Sequence, residues 1–155
     1  MALKIFQLLT VVFMGVQLGV SYAHFMQMPG KLALPLDCFI LVQNQVISYR
    51  VKLGFIEIPS FVSAALATIL TRRSKAFWLT LIGVVCMVLM WVVWAIFIQP
   101  INQQIDGWTS ANALSNWTDI RYQWHFYHLI RLGIAVIGMV ALTLSLLVGK
   151  AKSVS

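Results

Sequence analysis

Three histidines and one carboxylate lie inside or at the edge of strongly apolar stretches: His24, Glu57, His125 and His128. Ionisable groups in such positions are costly in hydrocarbon and turn toward a protein interior or a polar cavity. In helical geometry Gln17, Ser21 and His24 fall at i, i+4 and i+7, on one face. Leu53, Glu57 and Ser60 share a face of a second helix. Arg121, His125 and His128 form one stripe of a third, and Trp124, His128 and Arg131 form the adjacent stripe, so His128 belongs to both. Counting along each apolar run places all three histidines and Glu57 toward the same side of a membrane, so they are expected to converge at one depth.

Three chemistries fit these residue types. A transition metal, iron or copper, would take its ligands from His24, Glu57, His125 and His128; two histidines with a carboxylate suit non-haem iron. A haem would be clamped by histidines from different helices, His24 and His128, with Trp124 against the cofactor. Without any cofactor, Glu57 or a histidine would act as base, Arg121 or Arg131 would stabilise an oxyanion, and Asn102 would complete the polar set. The structural reading of the same residues is an ion pair of Glu57 with Arg131 or Arg121, with His24 and His125 bonded to headgroups or water. Met14, Met28, Met87 and Met90 are read as core filling rather than as soft copper ligands.

The elements that position these groups follow from composition. The 155 residues are 61% hydrophobic and 10% charged, with a mean hydropathy of +0.88; a soluble domain carries about 25% charged residues. Apolar runs cover 5–23, 53–70, 76–98 and 126–148, each near the roughly 17–25 residues a spanning helix needs. Strand alternation is absent. The expected architecture is all-α: one integral membrane domain over 1–155, an up-down-up-down four-helix bundle with helices at about 4–28, 47–71, 76–99 and 121–149. Pro29, Gly30 and Pro35 are expected to stop the first helix and Pro100 the third. A short surface helix is expected within 37–49, a kink at Pro59, and an outer segment over 101–121 that holds Asn102, Asp106, Trp108 and Trp117. Gly15, Gly19 and Ala23 recur at four-residue spacing, a pattern that lets helices approach closely in lipid and offers a surface for self-association.

The net charge of +7 does not point to nucleic acid, because the basic residues are partitioned. Lys4, Arg72, Arg73, Lys75, Lys150 and Lys152 flank one side of the apolar runs, while Asp37, Glu57, Asp106 and Asp119 lie toward the other. Lys/Arg bias in short flanks marks the cytoplasmic side, so both termini and the turn at 72–75 are expected in the cytoplasm, with the inner membrane as the location in a bacterium. Lys4, the apolar run and Ser21-Tyr22-Ala23 also fit a cleaved signal peptide loosely; Gln17 and Ser21 suit a helix facing protein better. Cys38 and Cys86 form no C-x-x-C pair, which argues against a thiol–disulfide relay.

The chain resembles the anthrone oxygenase-like family of small four-helix membrane proteins. The matching pieces are Gly19 followed by Met28-Pro29-Gly30, then Pro100-Ile101-Asn102, then Trp117, Arg121, Trp124, His128 and Arg131. The resemblance implies an oxygenase or related redox activity on an aromatic or other apolar small molecule. The family pattern often has Asn at the position of His128, so a histidine-ligated cofactor suits this chain better than a typical member. The expected function is a membrane-embedded oxidoreductase with Trp94, Trp117 and Trp124 lining an apolar pocket. The alternative is a non-enzymatic subunit, transporter component or assembly factor that uses the polar cluster as a structural network.

Overall fold

The structure is a computed structural model that describes residues 2–46 and 54–148. Leu53, Arg50, Lys52, Lys150 and Lys152 lie outside the described residues, as do 47–53 of the expected second helix and residue 149 of the last. Every element among the described residues is a helix: α1 (Ala2–Ala33), α2 (Leu36–Leu41) continued by a π-helical turn at Val42–Val46, α3 (Gly54–Thr71), α4 (Phe77–Val93), a second π-helical turn at Trp94–Ile98, α5 (Gln99–Asp106) and α6 (Trp117–Val148). By length and composition three helices can cross a membrane: Ala2–Ala33, the continuous Phe77–Asp106, and Trp117–Val148. Most side chains of their apolar windows face outward, among them Val12, Trp78, Ile137 and Leu147. Only lipid makes such a surface favourable, and the chain is a membrane protein on this ground. The apolar part of α3, Ile56–Thr71, is shorter.

α6 packs on α1 and on α4, and α3 packs on the same two helices. The α1–α6 pair is antiparallel and keeps one register along its length. Gln7 donates to the Ser145 carbonyl, Met14 meets Gly138, the His24 ring lies against His128, and the Lys31 carbonyl accepts from Arg121. Every step along α1 is matched by an equal step back along α6. The spacings of seven and ten residues keep the contacts on one seam of each helix.

Two apolar clusters flank this seam. One gathers Met14, Ala64, Cys86, Met87, Met90, Ala135 and Leu142. It depends on glycines: a methyl group on Gly138 would run into Met14 and into the Cβ of Cys86, 2.8 Å away, and one on Gly83 would overlap Leu142. The other gathers Phe39, Ile98, Ile101, Ile105, Trp108, Ile120 and Trp124. Hydroxyls within the helices bond back to carbonyls one turn earlier, as Thr10 does to Phe6, Thr68 to Ala64 and Thr80 to Ala76, so that no polar atom there is presented to lipid.

Three boundaries correct the sequence expectations. α1 does not stop at Pro29 but continues to Ala33; spanning helices tolerate an internal proline when other groups satisfy the backbone. The stop comes at Pro35, which has no N–H to give the Lys31 carbonyl four residues earlier, and the Arg121 guanidinium takes that place. The helix that begins at Phe77 does not end at Pro100 but runs to Asp106. Pro100 would crowd the carbonyl of Ile96, and the chain there opens into the π-helical turn Trp94–Ile98, which relieves the conflict and resets the phase of the helix. Asn102 therefore stands on a helix, not in a loop. α6 begins at Trp117, four residues before the expected start.

Candidate functional site

The centre of the polar constellation is the indole of Trp124, wholly buried. Its Nε1 donates to Asn102 Oδ1 at 2.7 Å, a bond that ties α5 to α6. Three imidazoles surround the indole: His128 at 4.2 Å between ring centroids, His125 at 5.0 Å and His24 at 5.2 Å. His24 and His128 are also neighbours, at 4.1 Å with a tilt of 40°. The Lys31 Nζ lies 5.0 Å from the centroid of the same indole.

Helical periodicity explains the gathering. On α6, Trp124 and His128 are one turn apart and His125 stands beside them; on α1, His24 and Lys31 are two turns apart on the face that meets α6. The antiparallel register then lays 24 against 128 and 31 against 121. Lys31, His125 and His128 are at most 5% exposed and Asn102 is 1% exposed. Among the described residues no hydrogen-bond partner exists for His24 Nδ1, His125 Nε2, either nitrogen of His128, Asn102 Nδ2 or Lys31 Nζ. Buried polar atoms are nearly always paired, so this cluster calls for partners beyond the described side chains, water or a bound group. Lys31 is the sharpest case. Burial of an ammonium costs several kcal/mol, while a desolvated cation–π contact returns about 2 kcal/mol.

Arg121 belongs to the frame of the site. Its Nη1 donates to the carbonyls of Lys31 and Leu34 at 3.2 and 2.8 Å, and its guanidinium lies over Trp117 at 4.5 Å and Phe39 at 5.6 Å. It thus closes the end of α1 onto α6 and fixes the backbone from which Lys31 projects. Glu57 and Arg131 sit apart from the indole, with Gln17, Val16, Val20 and Ile56 around a cavity of about 50 Å3. Arg131 is one helical turn from His128 and near enough for its charge to act on His24, His128 and Glu57.

Of the residues singled out in the sequence, His24, His125, His128, Trp124 and Asn102 are brought together. Glu57 and Arg131 form a neighbouring group, and Arg121 is engaged with backbone. Trp94 and Trp117 pack against the aromatic cluster. Lys31 was not singled out; the signal that finds it is its seven-residue distance from His24, which repeats the distance from Gln17 to His24.

The cofactor readings can be tested on this geometry. Among the described residues no group of three or more His, Cys, Asp or Glu side chains is placed to hold a metal ion. Lys31 and Arg131 beside the histidines also give the region a positive field, which opposes a metal cation and favours an anion. For a haem, each axial imidazole nitrogen must stand about 2 Å from the iron, one ring on each side of the macrocycle. Rings already 4.1 Å apart leave no space for its plane. The residues present therefore fit neither a metal ion held by three such side chains nor a haem clamped between His24 and His128.

The sequence model of the family described as anthrone oxygenase matches residues 48–141. The matched segment holds Glu57, Asn102, Arg121, Trp124, His125, His128 and Arg131, while His24 and Lys31 precede it on α1. No curated protein matches the chain, and no solved structure does. The match covers more than half of the sequence, and the chain belongs to the anthrone oxygenase family.

Proposed function

We propose that this protein is a membrane-embedded oxygenase that oxidises an activated methylene of an apolar aromatic molecule, of which anthrone is the model, with histidine acid–base chemistry and no bound metal or haem. The observation that carries this reading is the His24–His128 pair beside Trp124, with buried ring nitrogens that no described residue engages. A methylene flanked by aromatic rings and conjugated to a ketone gives a stabilised enolate once a base removes one proton. A neutral imidazole whose ring nitrogen no described residue engages can accept that proton. The enolate passes one electron to dioxygen, and the radical pair combines to form a C–O bond. The peroxide then takes the proton back on its distal oxygen, loses the second methylene hydrogen and expels water as the O–O bond breaks. The balance is R2CH2 + O2 → R2CO + H2O, with dioxygen as the sole oxidant.

The neighbouring residues take supporting roles. His125 and Asn102 orient the substrate beside the indole. Glu57 faces Arg131 across the small cavity and balances its charge beside the histidine pair. The proposed topology is four crossings, α3 being the additional one, in an up-down-up-down bundle with both termini cytoplasmic. In that topology the histidines lie toward the outer leaflet and the apolar substrate arrives through the bilayer. Gly15 and Gly19 leave an open face on α1, where a Cβ on Gly19 would meet nothing within 4 Å, and a second copy would pack there.

The experiment is turnover of anthrone by the purified full chain in mild detergent, before and after dialysis against a chelator, with elemental analysis and an absorption spectrum. Anthraquinone formation that survives the chelator, with neither stoichiometric metal nor a Soret band, supports the reading. Activity that disappears with the metal and returns on its readdition contradicts it.

A further inference from the structure

Lys31 is buried in a place where a lysine need not be. Two residues from the end of α1, its four-carbon stem is long enough to carry the ammonium to the membrane surface, as lysines near helix ends normally do. It instead turns inward to the Trp124 indole, 5% exposed and without a hydrogen-bond acceptor among the described residues. The sequence has four side-chain carboxylates, and each is placed elsewhere. Asp37 accepts from Ser110 at the surface, Asp106 and Asp119 are exposed, and Glu57 faces the cavity it shares with Arg131. The counter-charge to Lys31 is therefore not among the described residues, and the surroundings define what it can be. Trp124 and the three imidazoles are flat aromatic groups, so the anion that fits is an oxygen atom borne on an aromatic ring system.

We infer that Lys31 is the oxyanion-binding residue of this site and that the protein binds its aromatic substrate through an ionised or ionising oxygen, a phenolate or enolate, paired with the Lys31 ammonium. The inference rests on the proposed oxygenase reading and deepens it: the proton goes to a histidine and the resulting negative charge settles on an oxygen beside Lys31. Arg121 is a positioning residue for this pairing, since it holds the Lys31 and Leu34 carbonyls.

Binding can be read without turnover. The probes are 4-nitrophenol, whose ionised form has its own absorption band, and its methyl ether, which cannot ionise. The purified full chain in neutral mild detergent is expected to bind the phenolate more tightly than the ether. Lys31→Met should weaken phenolate binding about tenfold or more, as the loss of a charged hydrogen bond does, while Lys31→Arg stays within a few-fold and ether binding does not change. Equal affinity of the unmodified protein for phenol and ether overturns the inference without any variant, so a misfolded Lys31→Met does not leave it open. Displacement of the phenolate by added phosphatidylglycerol, or by inorganic phosphate, would assign Lys31 to a phosphate and also overturn it. Phenolate preference without anthrone turnover would remove the oxygenase reading and leave the Lys31 site standing; turnover without phenolate preference would do the reverse.

Discussion

His24 and His128 face each other across the α1–α6 seam with ring centroids 4.1 Å apart, although they stand on the first and the last of the described helices. Their meeting follows from one antiparallel register that also joins Gln7 to Ser145, Met14 to Gly138 and Lys31 to Arg121. A site built on such a seam is sensitive to what fixes that register.

Arg121 closes the polar end of the seam. Arg121→Gln removes the donor to two carbonyls, one of which Pro35 leaves without its helical N–H. Charged hydrogen bonds of this kind are worth about 1.5–3 kcal/mol, so thermal unfolding in detergent should show a clear loss of stability. Arg121→Lys should recover only part of it, because an ammonium lacks the flat face that lies over Trp117. An unchanged melting temperature for Arg121→Gln would show that α1 ends without this support.

Trp124 and Asn102 form a buried pair at 2.7 Å. Trp124→Phe keeps a ring in place but leaves the Asn102 amide unpaired, at a cost of about 1–3 kcal/mol. The double variant Trp124→Phe/Asn102→Leu should be more stable than Trp124→Phe alone, since it removes the orphaned group as well. Additive losses in this cycle would mean that the two side chains do not interact.

Gly138 is where α6 faces both Met14 of α1 and Cys86 of α4. Gly138→Ala should destabilise by about 1–3 kcal/mol through overpacking against Met14 and Cys86. Gly19→Ala, whose new methyl meets nothing within 4 Å, should change the stability of one chain by less than about 0.5 kcal/mol. Equal tolerance at both positions, measured by unfolding in detergent, would contradict the packing described.

Periodicity made the faces of single helices legible. The stripe Trp124, His128 and Arg131, and the placement of His24 on an inward face, can be read by counting residues. The meeting of the helices was less legible, because sequence spacing carries no register between one helix and another. Depth alone put Glu57 with the histidines; the structure gives it to Arg131 and Gln17, beside them. Pro29 and Pro100 read as helix ends by rules learned in water. In a membrane protein the chain passes through both: α1 runs on to Ala33, where Arg121 takes up the Lys31 carbonyl that Pro35 leaves, and a π-helical turn accommodates Pro100. Lys31 was hidden for a related reason: a lysine near a helix end is ordinarily a surface residue, and only the packing of α6 turns it inward.

The central claim is that the histidine pair performs proton transfer for a direct reaction of the substrate with dioxygen. The most direct measurement is dioxygen uptake with anthrone by the purified protein, compared with His128→Ala and His24→Ala variants that elute as the unmodified protein does. The expected result is one dioxygen consumed per anthraquinone formed and a fall of about a hundredfold or more in rate for His128→Ala, the scale of a lost general base. Undiminished uptake in both variants, or no uptake above the uncatalysed rate in the unmodified protein, would contradict it.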